Sequence, residues 1–166
     1  MSVYIRSLLK QHELAMSTRR YNRYERQTER TLQAKGISSS LAKADRTTKV
    51  ELYRIWNELT DGKMGKLLVE WDYKYSSKTM YDRPVIMNLG NPLQMGGSHW
   101  IAIWRNKYFD SYGLPPSDIV IKNGFKGSYN KVQIQGIING NCGQYALLWL
   151  YYIMSGREAE FYSLFT

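Results

Sequence analysis

The sequence predicts an α+β domain: a small mixed β-sheet flanked by helices, with a basic helical arm in front of it. Three observations carry this. The first 60 residues have helical spacing of apolar residues and almost no strand signal. From Leu67 onward, short β-prone runs alternate with Gly, Pro, Asn and Ser. The strongly apolar run "CGQYALLWLYYIMSG" then supplies a helix that must pack on the sheet.

Taken in order, residues 2–34 read as helix, with apolar residues at Tyr4, Ile5, Leu8, Leu9 and Met16 and an expected break near Ser17-Thr18. Gly36 ends that helix, and the Ser38–Ser40 run caps a second one that extends to about Leu59. Leu52, Ile55, Trp56 and Leu59 fall on one face of it. "TDGKMGK" at 60–66 is a turn and the expected boundary between a helical arm (1–60) and a core (61–166), within one compact domain overall. Strands follow in "LLVEWDY", "RPVIMNL", "HWIAIW" and "KYFDSYG". "PPSDIVIKNG" allows a short helix capped by Ser117, and "NKVQIQG" is a further strand. The final helix ends at Gly156.

Composition narrows the function classes. Tyrosine is abundant, at 14 residues with 5 Trp, which favours a sheet-rich or interface-rich protein. No uninterrupted apolar run is long enough to span a membrane, and the first residues turn charged too early for an expected secretory leader. One cysteine allows no internal disulfide, and with only His12 and His99 beside it an ordinary zinc site is not expected. The net charge of +9 is uneven: 12 basic and 6 acidic residues lie in 1–60, against 11 and 8 in the rest. "STRRYNRYERQTER" puts Arg19, Arg20, Arg23 and Arg26 among tyrosines, a positive field suited to nucleic acid or equally to a solvated, salt-bridged helix face.

The candidate chemistry centres on Cys142. With Asn141 as cap, the cysteine occupies the first helical turn, where unpaired N–H groups and the helix dipole favour a thiolate. "NGNCG" surrounds it with small residues and would leave the sulfur exposed. A buried structural cysteine is the competing reading. A nucleophilic thiol needs a base. His12 lies in a charged helix, whereas His99 opens the strand "HWIAIW" after a Gly-Gly. Strands 99–104 and 107–111 form a hairpin about a turn at 105–107, which brings Asp110 close to His99. A carboxylate there orients the imidazole and stabilises its charged form. An oxyanion needs two donors: the Cys142 N–H and a side-chain amide from Gln133 or Gln135, which alternate so that only one can serve.

Together, "GSHW…YFDSYG…QIQG…NCG" resembles the adenovirus-type cysteine proteases, and more closely their relatives in virophages and polinton-like viruses. Those enzymes carry a His-Trp pair, a carboxylate in a "[LY]F[DE]xxG" strand, and a Gln-Gly seven and six residues before a Cys-Gly. His99-Trp100, Phe109-Asp110 with Gly113, Gln135-Gly136 and Cys142-Gly143 match this order, and the spacing selects Gln135. The resemblance covers residues 84–155.

It implies a ubiquitin-like-protease (adenain-like) fold and an endopeptidase that cleaves virion precursor proteins, often after glycine. In it His99 is the base, Asp110 its orienter, Cys142 the nucleophile and Gln135 an oxyanion donor. Trp71, Tyr73, Trp100 and Asn141 are the expected substrate contacts, with core packing as the competing role for Trp71, Tyr73 and Trp100. Capsid precursors are the implied substrates, viral DNA a possible partner through Arg19, Arg20, Arg23 and Arg26, and the virion or viral factory the implied location of a monomer. No cofactor is needed for the chemistry. A DNA or non-covalent peptide activator stays open, but a disulfide-linked activating peptide of the adenovirus kind is excluded because no second cysteine exists. A peptidase for ubiquitin-like modifiers and an inert nucleic-acid-binding virion protein are the alternatives.

Overall fold

The computed structural model describes residues 3–90, 99–136 and 139–166, with side chains from residue 18 on. The side chains of Tyr4, Ile5, Leu8, Leu9, His12 and Met16 therefore lie outside the described residues, as do the glycines before His99.

Helix α1 (Val3–Ala34) is continuous, without the expected break at Ser17-Thr18. Ser and Thr are weaker helix formers than Ala or Leu but do not interrupt the backbone ladder as Pro does. Further along, Thr28 and Thr31 return their hydroxyls to the carbonyls of Tyr24 and Gln27 at 3.0 and 2.8 Å. Gly36, at φ 97°, ends the helix, and the Ile37 N–H closes back on the Leu32 carbonyl at 3.1 Å.

Ser38 caps the next helix as expected, accepting the Leu41 N–H at 3.3 Å, but α2 (Ser39–Ala42) is a single turn. The expected long second helix is thus two. The later one, α3 (Lys49–Thr60), starts at a capping box: Thr48 Oγ1 accepts the Glu51 N–H, and Glu51 Oε1 accepts the Thr48 N–H. The Thr-x-x-Glu spacing that signals this start is plain in the sequence. Leu52, Ile55, Trp56 and Leu59 are all buried, each burial contributing about 1.5–3 kcal/mol. Asp61, in the left-handed region at φ 52°, stops the helix.

Among the described residues five strands form one mixed sheet: β1 (Leu68–Trp71), β2 (Val85–Leu89), β3 (His99–Trp104), β4 (Lys107–Phe109) and β5 (Ser128–Tyr129), adjacent in chain order. The β1–β2 and β4–β5 pairs are parallel; β2–β3 and β3–β4 are antiparallel. The β3–β4 hairpin is tighter than expected. Lys107 already pairs with Trp104, so only Arg105, at φ 55°, and Asn106 make the turn.

The strand expected in "NKVQIQG" does not form, and β5 lies just before it. Its backbone is drawn instead to the loop after β4, where the Ile134 and Gln135 N–H groups both donate to the Ser111 carbonyl at 2.9 and 3.0 Å.

Alternation along the strands divides the interior. Val69, Ile86, Trp100, Ala102 and Phe109 join α3 and the last two helices, α6 (Cys142–Met154) and α7 (Glu158–Ser163), together with Leu32, Ile37 and Leu41. Val85, Met87, Ile101, Ile103 and Tyr108 face Met80 of α4 (Ser77–Met80) and Val120 of α5 (Asp118–Lys122). Ser117 precedes α5 but its hydroxyl makes no cap bond.

Helix α6 is buried nearly all round, as its apolar composition requires, and Gly156 at φ 73° follows its end. Helix α7, which the sequence reading lacked, covers it. Glu158 accepts from Trp149 Nε1 at 3.0 Å and from Lys107 Nζ at 2.6 Å, while Phe161 packs edge-on to Phe109. Among the described residues no helix is long and apolar enough to cross a membrane.

Candidate active site

Cys142 is the first residue of α6, and its Sγ accepts the backbone N–H of Trp100 at 3.4 Å. The side chain is not open to solvent as expected: the residue is 5% exposed. Close packing of its glycine neighbours explains this. A Cβ on Gly143 would collide with Thr47 Oγ1 and come within 2.7 Å of Leu52 Cδ2, and one on Gly140 would collide with the Asp45 carboxylate. The loop between α2 and α3 thus seals the underside of the nucleophile turn. It is tied there by Arg46 N–H to the Gly140 carbonyl (2.7 Å), Gln144 Nε2 to the Ala44 carbonyl (2.7 Å), and Trp100 Nε1 to the Thr47 carbonyl (3.0 Å). Asn141 stands at the cap position without capping. Its side chain makes no cap bond, and both amide atoms are buried without a partner.

The hairpin brings His99 and Asp110 together as the sequence predicts, with Nε2 to Oδ1 at 2.7 Å and both residues buried. Asp110 is itself held on several sides. Its Oδ1 also accepts the Tyr112 N–H at 2.8 Å, while Asn130 brackets its backbone, accepting from its N–H and donating to its carbonyl at 2.9 and 2.7 Å. With Nε2 committed to the carboxylate, Nδ1 has no hydrogen-bond partner. Burial pushes the imidazole pKa down. The hydrogen bond to Asp110, with the charges of Asp110 and Cys142, outweighs that and raises it to about 9. Tyr112 stacks on the His99 ring at 4.3 Å and 24°. Its own phenol is pushed up to about 12, chiefly by burial, then by the charges of Cys142 and Asp110.

Gln135 is fully buried on the segment leading to Cys142. Ser111 Oγ donates to its Oε1, its Nε2 donates to the Asn139 carbonyl at 2.6 Å, and Gln133 Nε2 donates to its backbone carbonyl at 2.8 Å. The two glutamines are therefore distinguished by this network rather than by strand alternation. Gln135 makes no hydrogen bond to Cys142; one amide hydrogen is left after Asn139 is served. Ile137 and Ile138, between them, lie outside the described residues.

Trp71, Asn88 and Trp100 line a groove of about 140 Å³ with Lys49, Val69 and Glu70. Trp71 and Tyr73 stack at 6.4 Å and are 45% and 56% exposed, so they offer aromatic surface rather than core. Trp100 links the two: the residue lines the groove and its backbone N–H donates to the sulfur.

Away from this centre, Arg19, Arg23, Arg26 and Arg30 are exposed at spacings of four, three and four residues, with Arg20 exposed beside them. On a helix the four share an arc of about 60° along about 16 Å. None takes part in an ion pair with another described residue. Among the described residues there is no group of three His, Cys, Asp or Glu side chains that could hold a metal ion.

Ser111, Tyr112, Asn130, Thr47 and Asn88 were not singled out from sequence. The first two follow Asp110 directly in "FDSYG", and that proximity is the signal that could find them. The other three reach the site only through tertiary contacts.

No protein-family model, curated protein or solved structure matches this chain. The chain is an α+β protein whose described residues form a mixed five-stranded sheet and carry a buried carboxylate–imidazole pair beside a thiol at a helix start.

Proposed function

We propose that this chain is a viral cysteine endopeptidase that processes capsid or virion precursor proteins, cleaving after glycine. The observation that carries the reading is the 2.7 Å His99–Asp110 pair, whose imidazole is raised to about 9 by the neighbouring carboxylate and Cys142. An imidazolium beside a sulfur is the environment of reactive cysteines.

The chemistry follows from these positions. The Cys142 proton passes to His99, whose Nδ1 is the nitrogen left after Asp110 takes Nε2. The sulfur attacks the peptide carbonyl, and the Cys142 N–H and the spare Gln135 amide hydrogen serve the oxyanion. His99 then protonates the departing amine, and water, deprotonated by His99, hydrolyses the thioester. The groove between Trp71 and Trp100 receives the substrate chain, with Tyr73 stacked on Trp71 and Asn141 directly before the nucleophile. The narrow approach supports glycine at the scissile bond. No cofactor enters these steps.

Nucleic acid is the further partner in this reading, supported by the exposed arginine stripe of α1. Viral DNA in a virion or viral factory meets that charge and leaves room for activation by DNA. The decisive experiment is Cys142→Ala produced with its candidate capsid precursors: processing should stop. Processing that continues unchanged overturns the assignment.

A further inference from the structure

A short loop joins Gln135 to Cys142, and the N-terminal part of the chain holds it at two points. Near the cysteine, the Arg46 N–H donates to the Gly140 carbonyl at 2.7 Å. Near the glutamine, Tyr21 of α1 lies against Gly136, the residue directly after Gln135. A Cβ on Gly136 would stand 3.2 Å from Tyr21 Cβ and 3.6 Å from its Cδ2, the first closer than an ordinary carbon–carbon contact. Only glycine lets the helix come this near to the loop.

Tyr21 is itself held in place. Tyr21, Tyr24, Thr28 and Leu32 recur at three and four residues along one face of α1, and the last two are fully buried. Tyr21 meets Tyr24 edge-on at 6.1 Å, Tyr24 meets Phe165 at 5.4 Å, and Phe165 meets Tyr145 at 5.8 Å. Tyr145 belongs to α6, three residues after Cys142. A row of packed rings therefore runs from the helix that carries the thiol to the residue beside Gln135.

The Gln135 amide depends on the backbone that Tyr21 supports. Its Nε2 donates to the Asn139 carbonyl at 2.6 Å, and the Asn139 N–H donates to the Gly136 carbonyl at 3.0 Å. A shift at Gly136 is passed to Asn139, and Asn139 aims the carboxamide. Misplacing a catalytic group by about 1 Å costs about 10²-fold in rate.

We propose that Tyr21 is a positioning residue: packed on Gly136, it holds the Gln135 amide where the oxyanion forms. This inference rests on the endopeptidase reading and gives α1 a part in the chemistry of that site, through packing rather than through its arginines.

The test applies two probes of Cys142 to the full chain. Iodoacetamide is attacked at a saturated carbon, so no oxyanion forms. Acetyl-glycyl-glycinal is attacked at its aldehyde carbon: the sulfur–carbon bond forms as the carbonyl π pair moves to oxygen, and that oxygen takes the oxyanion position. Its affinity is read as protection of Cys142 from iodoacetamide. Tyr21→Ala is expected to weaken the aldehyde about tenfold, less than the 10²–10³ or so that follows loss of an oxyanion donor. Without aldehyde, the iodoacetamide rate should stay within about twofold of wild type. Tyr21→Phe keeps the packed ring and should retain aldehyde affinity within about twofold. In a Gln135→Ala background, Tyr21→Ala should change that affinity by less than about twofold, because no amide is left to aim. Tyr21→Leu replaces the alanine variant should alanine prevent folding.

Aldehyde affinity unchanged in Tyr21→Ala but weakened in Gln135→Ala overturns the role of Tyr21 and leaves the endopeptidase reading standing. An equal loss in the Gln135→Ala background, a parallel loss of iodoacetamide labelling, or a Tyr21→Phe variant as weak as alanine assigns Tyr21 to general packing and also overturns the proposal. A wild type that the aldehyde does not protect, or a Gln135→Ala variant protected as well as wild type, overturns the oxyanion assignment and with it the endopeptidase reading.

Discussion

Trp100 and Cys142 meet backbone to side chain: the Trp100 N–H donates to Sγ at 3.4 Å across 42 residues of sequence. This contact sets the sulfur at the start of β3, one residue from His99, while the Trp100 indole is anchored to the Thr47 carbonyl. The nucleophile, the base and the N-terminal helices are thereby joined at one residue.

Asp110→Asn should remove the charge that holds His99 protonated. Burial, which pushes the imidazole down, is then opposed only by Cys142. The expected result is a loss of about 10²–10⁴ in kcat/KM. The alkaline limb of the pH profile, near pH 9 in wild type, should move toward acid. An alkaline limb that does not move would mean that Asp110 does not set the His99 charge.

The same raised pKa makes stability depend on pH. A group whose folded pKa lies above its ordinary 6.5 contributes stability that is fully present below about 6.5 and is lost as pH rises through about 9. Thermal melts between pH 6 and 9.5 should show Tm falling across that window, and His99→Gln should flatten the fall. An equal slope in both proteins would place the proton uptake elsewhere.

Gly143→Ala should lower stability by about 1–3 kcal/mol in urea denaturation, because its Cβ collides with Thr47 Oγ1 and crowds Leu52. Thr47 Oγ1 is buried without a partner, so Thr47→Ala removes the obstacle without breaking a hydrogen bond. The double variant should recover part of the loss. Additive losses would show that the two residues are not in contact.

Neutralising Arg19, Arg23, Arg26 and Arg30 to Gln should weaken duplex DNA binding at low salt. It should also flatten the slope of log K against log salt by about 3 to 4, since each phosphate contact contributes about 0.9. Thermal stability should hold, because all four side chains are exposed. A wild-type salt slope near zero would exclude a phosphate-binding role for the stripe.

Much of the fold was legible because its signals are local. The apolar face of Leu52, Ile55, Trp56 and Leu59, the four strands from Leu68 to Phe109, the Gly36 stop and the apolar α6 all follow from spacing over a few residues. The hairpin made the His99–Asp110 pair legible too, because a short turn fixes which residues face each other. Where local signals compete, the reading went astray. "NKVQIQG" has strand spacing, yet its N–H groups go to Ser111. Thr48 signals a cap as clearly as Ser38, and the chain breaks into two helices there because both caps form.

By itself, then, the sequence determined the α+β class, the order of the elements from α3 through the β3–β4 hairpin to α6, and the pairing of an imidazole with a carboxylate. Each depends on periodicity or turn length within a short window. The tertiary structure decided how deeply Cys142 is buried, that Asn141 leaves its amide unpartnered, and that Asn88 stands between two tryptophans. It also decided that Gln144 fastens α6 to the Leu41 and Ala44 carbonyls, 103 and 100 residues away. Such contacts join segments with no shared period, so their chemistry exists only once the sheet and helices have closed on a common core.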